Sequence, residues 1–175
     1  MRPAYGAEEI GIGGQPVTIV VDVANVMGSR PDGWWRDRVG AAHRLLVRLS
    51  GLTGTAVPGP DGSVLLVEAV VGVVEGAARG VPDQPGVQVV RATSDGDTAV
   101  VEACARVLAA GRRPVAVTAD RGLRMRLPSG TGVAGPGWLL TIIIDVPIVA
   151  APHNLNSPSA TGTDTSSCAF CNLPE

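Results

Sequence analysis

The sequence predicts an α/β protein, folded as a three-layer α/β/α sandwich around a mostly parallel β-sheet. Short runs of β-branched residues alternate with segments of helical periodicity, and this alternation is typical of parallel sheets covered by helices on both faces. The chain has 175 residues, 45% of them hydrophobic and 17% charged, which is enough apolar material for one compact domain. We expect this domain to span residues 16–140. Residues 1–15 then form an N-terminal extension, and residues 141–175 form a poorly ordered C-terminal extension.

The strands are predicted from runs rich in Val, Ile and Ala. Residues 17–23 form a buried strand, and residues 64–75 form a longer one with a bend at Gly72. Between them, the Gly- and Pro-rich residues 51–62 are expected to form a loop. Three shorter runs predict the remaining strands, at residues 87–91, 114–120 and 132–134.

The helices are predicted from apolar residues at helical spacing. Residues 34–49 show this spacing most clearly, with arginines available for the opposite face. A second helix covers residues 97–110, where Ser94 or Asp95 can cap the first turn and acidic residues suit the positive end of the helix dipole. A short Arg-rich helix follows at residues 121–127.

The net charge, the number of cysteines and the length of the apolar runs exclude several classes of protein. The uncharged apolar runs are far shorter than the roughly 20 residues that a membrane-spanning helix needs, so no membrane partner is expected. The chain has 3 cysteines, too few for a secreted disulfide framework, and its start lacks the apolar run of a signal peptide. We therefore expect a cytoplasmic protein. The net charge of −2 leaves only local Arg clusters as a source of nucleic-acid contacts.

Three acidic residues are expected at one edge of the predicted sheet. Asp22 ends the first strand, Asp120 ends the fourth, and Asp97 opens the helix after the third. Because loops at the carboxyl ends of parallel strands converge on one crevice, these carboxylates should meet there. Two carboxylates about 4 Å apart repel by roughly 4 kcal/mol at an effective dielectric constant near 20, which a divalent cation offsets. Taken singly, each acid could equally be a turn former or a helix cap.

Carboxylate oxygens suit Mg²⁺ or Mn²⁺, which keep several bound waters and often share substrate phosphates. Such an ion can orient and deprotonate a water and can stabilise the leaving oxygen of a phosphodiester. The three acids therefore predict metal-dependent phosphodiester hydrolysis.

Three short motifs carry a resemblance to a known family. They are Val20-Val-Asp22-Val-Ala-Asn25-Val26, Gly96-Asp97-Thr98 and Val117-Thr118-Ala-Asp120-Arg-Gly-Leu123. In order and in strand context they resemble those of NYN domains, the bacterial branch of the PIN-like nucleases. The likeness covers about residues 16–140 and is closest to short actinobacterial proteins of this type.

This resemblance implies a PIN-like, Rossmann-like sandwich and metal-dependent cleavage of RNA. It implies that Asp22, Asp97 and Asp120 are the catalytic metal ligands. Asn25 would orient a ligand or the substrate, and Thr118 would support the Asp120 loop at the substrate-binding edge.

The chain departs from the family pattern at two points. The stretch Ser94-Asp95-Gly96-Asp97 offers two acids, and only the place of Asp97 at the helix start favours it over Asp95. The family often has a fourth acid, for which Glu75 and Glu102 are weak candidates here.

Three further residues are candidate substrate contacts. Arg121 directly follows Asp120, and Arg79 lies in a predicted loop at the same edge; both could bind phosphate, although a solvated surface explains them as well. Trp35 could stack on an unpaired base, although packing beside the first long helix is the commoner role for such a residue.

Three classes of function follow. The first is a metal-dependent ribonuclease with a metal-bound water as nucleophile. The second is a metal-dependent nucleotide pyrophosphohydrolase, which a narrow closed pocket would favour over an open groove. The third is a non-catalytic PIN-like binding module, which would show no stabilisation by Mn²⁺. The sequence leaves open whether the substrate is RNA or a free nucleotide, and whether the protein forms a homodimer or binds a regulatory protein.

Overall fold

A computed structural model describes residues 14–145. The strands in this range are β1 (Gln15–Asp22), β2 (Ala56–Pro58), β3 (Val64–Val74), β4 (Gln88–Arg91), β5 (Pro114–Val117) and β6 (Gly132–Ala134). The α-helices are α1 (Val23–Gly28), α2 (Arg38–Leu49), α3 (Gly96–Ala109), α4 (Arg121–Arg126) and α5 (Pro136–Asp145). None of the helices within residues 14–145 is long and apolar enough to cross a membrane.

The strands form a mixed, six-stranded sheet in the order β2-β3-β1-β5-β6, with β4 also paired to β3. The central strand β1 is parallel to β3 and β5, and β4 and β6 extend the sheet in parallel. The edge strand β2 is antiparallel to the start of β3, which corrects the mostly parallel sheet predicted above. Residues 51–62 were expected to be a loop, and the three residues of β2 are too few to show a strand period.

The long strand β3 contains an irregularity at Glu68. Its residues alternate between exposed and buried up to this point and are mostly buried afterwards. Val17 pairs with Val67 and Thr18 pairs with Ala69, so Glu68 is an extra residue, as in a β-bulge. The register irregularity therefore lies at Glu68, while the bend expected at Gly72 stays a prediction.

Helices pack on both faces of the sheet. On one face α1, α2 and α5 cover Ile19 and Val21, whereas α3 and α4 cover Val20 on the other. Successive residues of β1 thus serve opposite layers, as the two-residue strand period requires. A Cβ atom on Gly72 would lie 2.7 Å from Leu46 Cδ2, so glycine here permits the close approach of α2 to β3.

Several boundaries differ from the predictions. The segment at residues 34–49 is a 3-10 turn (Trp34–Arg36) followed by α2, because Asp37 accepts a hydrogen bond from Gly40 N at 2.8 Å and caps the helix there. β5 ends at Val117, three residues before the predicted end.

Helix α5 continues the packed domain beyond residue 140. Ile142 and Ile143 are 4% and 3% exposed and belong to the same core cluster as Leu139. The predicted boundary at residue 140 therefore falls inside a packed helix. The rest of the predicted C-terminal extension, and most of the N-terminal one, lies outside the described residues.

Candidate active site

Asp22 and Asp120 both lie at the carboxyl edge of the sheet, because β1 and β5 are neighbouring parallel strands. Asp22 Oδ1 accepts a hydrogen bond from Asn25 N at 3.1 Å and caps α1. Asp120 Oδ1 accepts one from Leu123 N at 2.7 Å and caps α4. Both acids are therefore helix caps, and each uses one carboxylate oxygen for that purpose.

The Thr118 hydroxyl links the two acids. It donates to Asp22 Oδ2 at 3.1 Å and accepts from Asp120 N at 3.1 Å. The Arg124 guanidinium donates twice to Thr118 O, at 3.1 and 2.6 Å. Thr118 is fully buried, with 0% exposure, and its hydroxyl supports the loop that carries Asp120. A contact between Thr118 and substrate stays a prediction.

Asn25 acts on the same loop from the first turn of α1. Its side-chain Oδ1 accepts a hydrogen bond from Ala119 N at 2.7 Å. This bond holds the connection between β5 and α4 against α1 and so sets the position of Asp120. The role expected for Asn25, that of orienting a ligand or substrate, stays a prediction.

Helix α3 brings further acids to this edge. Asp95 caps it by accepting from Thr98 N at 2.8 Å, which leaves Asp97 in the first turn. Glu75 directly follows β3, and its Oε2 accepts from Gly96 N at 2.7 Å. Glu102 is exposed and pairs with Arg106 one turn further along the same helix, at 3.8 Å. Of the two candidates for a fourth acid, only Glu75 bonds to the start of α3.

The acids at this edge act on one another through their charges. Burial raises the pKa of Asp22, and the charges of Asp97 and Glu75 raise it further against hydrogen bonds from Asn25 and Thr118. Burial also raises the pKa of Asp97. The charge of Asp120 raises it further, and the Arg126 guanidinium lowers it. Each of these acids is linked by a charge effect to at least one of the others. We call four residues the acid cluster: Asp22, Glu75, Asp97 and Asp120.

Within residues 14–145, no three Asp, Glu, His or Cys side chains could hold a metal ion as they stand. Existing contacts hold these carboxylates: Asp97 Oδ2 lies 3.5 Å from Arg126 Nη1, and Glu75 is bonded to Gly96 N. The donor set itself fits a hard divalent cation, because all four groups are carboxylates. Arg126 is the one positive group among the causes that shift the pKa values of Asp22 and Asp97.

The residues predicted to contact substrate lie in different places. Arg121 is exposed at the start of α4, next to Asp120. Arg79 donates to Gly76 O at 3.3 Å and to Ala92 O at 3.4 Å, and so joins the segments that follow β3 and β4. Trp35 is 52% exposed and packs edge to face against Trp34, with ring centroids 6.3 Å apart.

Two cavities lie away from the acid cluster. One, of about 530 Å³, lies between α1, α2 and α5, and Met27, Leu45 and Ile143 are among its lining residues. The other, of about 200 Å³, lies between α3 and the sheet. Neither is lined by an acid of the cluster, so neither is the closed pocket that would favour a nucleotide pyrophosphohydrolase.

Comparisons with known proteins bear on the fold. No family model matches the sequence, and no curated protein matches it. The structure is similar to the crystal structure of Rae1 (YacP) from Bacillus subtilis, with a TM-score of 0.53 and 14% identity, over 73% of this chain and 75% of that one. At this identity the likeness concerns the fold alone. This chain therefore shares the fold of that structure, while membership of the NYN or PIN-like families and a close relation to actinobacterial proteins stay predictions.

Proposed function

We propose that this protein is a divalent-metal-dependent nuclease that hydrolyses phosphodiester bonds, with RNA as the favoured substrate. The observation that supports this most is the acid cluster, whose members come from four separate parts of the chain. Burial is the largest cause that raises the pKa values of Asp22 and Asp97; the charges of Asp97 and Glu75 add to it at Asp22, and the charge of Asp120 adds to it at Asp97. Helix capping alone does not call for four carboxylates with this mutual repulsion, whereas a cation-binding site does.

Asp22, Asp97 and Asp120 would hold a Mg²⁺ or Mn²⁺ ion, with Glu75 beside them. When bound, the ion supplies Lewis acidity that activates a water and stabilises the leaving oxygen of the phosphodiester. Asp97 must first leave its contact with Arg126. Water can replace this contact, because the side chains of Asp97 and Arg126 are 43% and 48% exposed.

The surrounding residues of this chain position the acids. The Thr118 hydroxyl and Asn25 N each donate to one oxygen of Asp22 and so fix the plane of its carboxylate. Thr118 and Asn25 also hold the backbone of the loop that carries Asp120. These contacts hold Asp22 and the Asp120 loop at one edge, so that Asp97 is the acid that would have to move for a small hydrated cation to bind.

A polynucleotide fits this edge better than a free nucleotide does. Neither described cavity encloses the acid cluster, and the exposed Arg121 stands at the same edge, where a phosphate backbone can meet it. A non-catalytic binding module is the second candidate, because no three acids within the described range are already placed to hold an ion.

Cleavage of a labelled single-stranded RNA by the full chain in Mn²⁺ tests the proposal. Asp22→Asn and Asp120→Asn are the informative variants, because asparagine caps a helix about as well as aspartate but lacks the charge. Glu102→Gln is the matched control, since Glu102 lies on an exposed face outside the acid cluster. We expect the wild type and the control to cleave, and both asparagine variants to lose at least about 100-fold in rate.

Two results would count against the proposal. Cleavage that persists in both asparagine variants would remove the acids from the chemistry. A wild type that neither cleaves RNA nor gains thermal stability in millimolar Mn²⁺ would favour the non-catalytic module.

A further inference from the structure

Arg126 reaches from the end of α4 to the start of α3. Its Nη1 lies 3.5 Å from Asp97 Oδ2, and its Nη2 donates to Thr98 Oγ1 at 2.8 Å. The other two arginines of α4 are placed differently, because Arg124 is bonded to Thr118 O and Arg121 forms no ion pair among the residues described. Arg126 is therefore the α4 arginine whose charge bears directly on the acid cluster.

The negative environment of Asp97 explains why a guanidinium lies there. The charges of Asp120, Asp95 and Glu75 all act on Asp97, and Arg126 is the one group of opposite sign among them. In the absence of another cation, Arg126 partly neutralises this carboxylate. A divalent cation brings twice the charge to the same place and can replace it.

The contact is also one that breaks readily. Both side chains are about half exposed, and the closest N–O distance is 3.5 Å, which exceeds that of a normal charged hydrogen bond. Ion pairs of this kind contribute little stability because water screens them and holding both side chains costs entropy. The hydrogen bond to Thr98 is independent of Asp97, so the guanidinium stays at the edge when the ion pair is lost.

From these contacts we infer that Arg126 is a positioning residue with two alternating partners. It binds Asp97 in the metal-free protein, and a substrate phosphate takes its place as partner once a cation has bound Asp97. The planar guanidinium presents paired N–H donors that match phosphate oxygens. This inference rests on the proposed function. It adds that Arg126 becomes available to bind a substrate phosphate only after a metal ion has replaced it at Asp97.

The test compares Arg126→Gln with Arg106→Gln, a control that removes an arginine whose ion pair, to Glu102, lies outside the acid cluster. Mn²⁺ affinity is measured by calorimetric titration of the full chain without RNA. Removing a cationic competitor should make Mn²⁺ bind about two- to five-fold more tightly in Arg126→Gln, the range expected for one exposed ion pair. In Arg106→Gln the affinity should stay close to that of the wild type.

The second readout is RNA cleavage at saturating Mn²⁺. Arg126→Gln should raise KM for single-stranded RNA and lower the dependence of KM on salt by about one phosphate contact. Tighter Mn²⁺ binding together with weaker RNA binding would show that Arg126 alternates between Asp97 and a phosphate. A merely structural role would weaken the binding of both Mn²⁺ and RNA. Arg126→Lys should keep the wild-type Mn²⁺ affinity but recover RNA binding only in part, because it lacks the planar fork.

Each outcome decides between the two claims. Unchanged or weaker Mn²⁺ binding in Arg126→Gln, with normal Mn²⁺ binding by the wild type, overturns the role of Arg126 and leaves the proposed function standing. A wild type that binds no Mn²⁺ overturns both.

Discussion

Replacing Thr118 with valine removes one hydroxyl and keeps the shape of the side chain. That hydroxyl donates to Asp22 Oδ2 and accepts from Asp120 N, each at 3.1 Å, inside a fully buried residue. Valine can do neither. In Thr118→Val a carboxylate oxygen therefore loses its donor and a backbone N–H loses its acceptor, at a place that water reaches poorly.

The expected loss follows from these two bonds. A hydrogen bond to a charged group contributes about 1.5–3 kcal/mol and a neutral one about 0.5–1.5 kcal/mol. Because Asp22 is only partly buried, water can replace part of the lost hydrogen bonding. We therefore expect the free energy of unfolding to fall by about 2–3 kcal/mol. For a domain of this size that corresponds to a fall in Tm of about 4–12 °C. The pKa of Asp22 should rise further, since the Thr118 hydrogen bond lowers it.

Urea unfolding at pH 7.5 measures this loss, with Thr118→Ser as the matched control. Serine keeps the hydroxyl and loses only a buried methyl group, which costs about 1 kcal/mol. We expect Thr118→Val to be the less stable of the two by at least about 1 kcal/mol. Adding Asp22→Asn to each should reveal a coupling energy above about 0.5 kcal/mol between the two residues. If Thr118→Val is as stable as Thr118→Ser, the hydroxyl does not hold the two acids as described.

Three further predictions concern the acid cluster and the domain boundary. Asp97→Asn should raise the Tm of the metal-free protein at pH 7.5 by about 1–2 °C after solvent screening. The Asp97 pKa is raised above 3.8 in the fold, so the contribution of Asp97 to wild-type stability should fall as pH rises from 3.8 through the folded pKa. Melting curves should show a smaller fall in Asp97→Asn, and an equal fall would contradict this. Glu75→Ala should destabilise the fold by about 1–2 kcal/mol in urea, because Gly96 N loses its acceptor. Glu102→Ala should be nearly neutral, and equal losses would show that the Glu75 bond is unimportant. A chain ending at residue 140 should be less stable than one ending at residue 145 by several kcal/mol, since Ile142 and Ile143 each contribute about 1.5–3 kcal/mol. Equal unfolding midpoints for the two chains would contradict the packing of α5.

The positions of most strands and helices were predictable, because they depend on short stretches of sequence. The β-branched runs that form β1, β4, β5 and β6 stand between clear turn residues, and the actual strands overlap each of them. The start of α3 was visible in the same way, since Asp95 was one of two residues placed to cap it and does so. Neighbouring parallel strands then bring Asp22 and Asp120 to one edge.

The features that the sequence could not show depend on pairing and packing. The three residues of β2 become a strand only because β3 offers an edge to pair with. Glu68 is marked as a bulge by its register against β1, which no run of β3 residues reveals. The uncharged stretch that ends in Ile142 and Ile143 differs in composition from the preceding chain, although it packs into the same core.

The same reasoning applies to the candidate site. Glu75 lies 21 residues before Gly96, and only the folded sheet brings the end of β3 to the start of α3. The burial of Thr118 follows from layers packed on both sides of β5, so its role in support could not be separated from substrate contact beforehand. The contact between Arg126 and Asp97 joins two helices that are distant in the chain. The spacing of residues in the sequence therefore could not predict it.

The most direct test of the central claim is to locate Mn²⁺ by its anomalous scattering in crystals of the full chain grown with millimolar MnCl₂. The acid cluster predicts a peak within about 2.0–2.6 Å of carboxylate oxygens from Asp22, Asp97 and Asp120, with Asp97 turned away from Arg126. A map with no peak at this edge, and with Asp97 still against Arg126, would contradict the claim that these carboxylates share a cation.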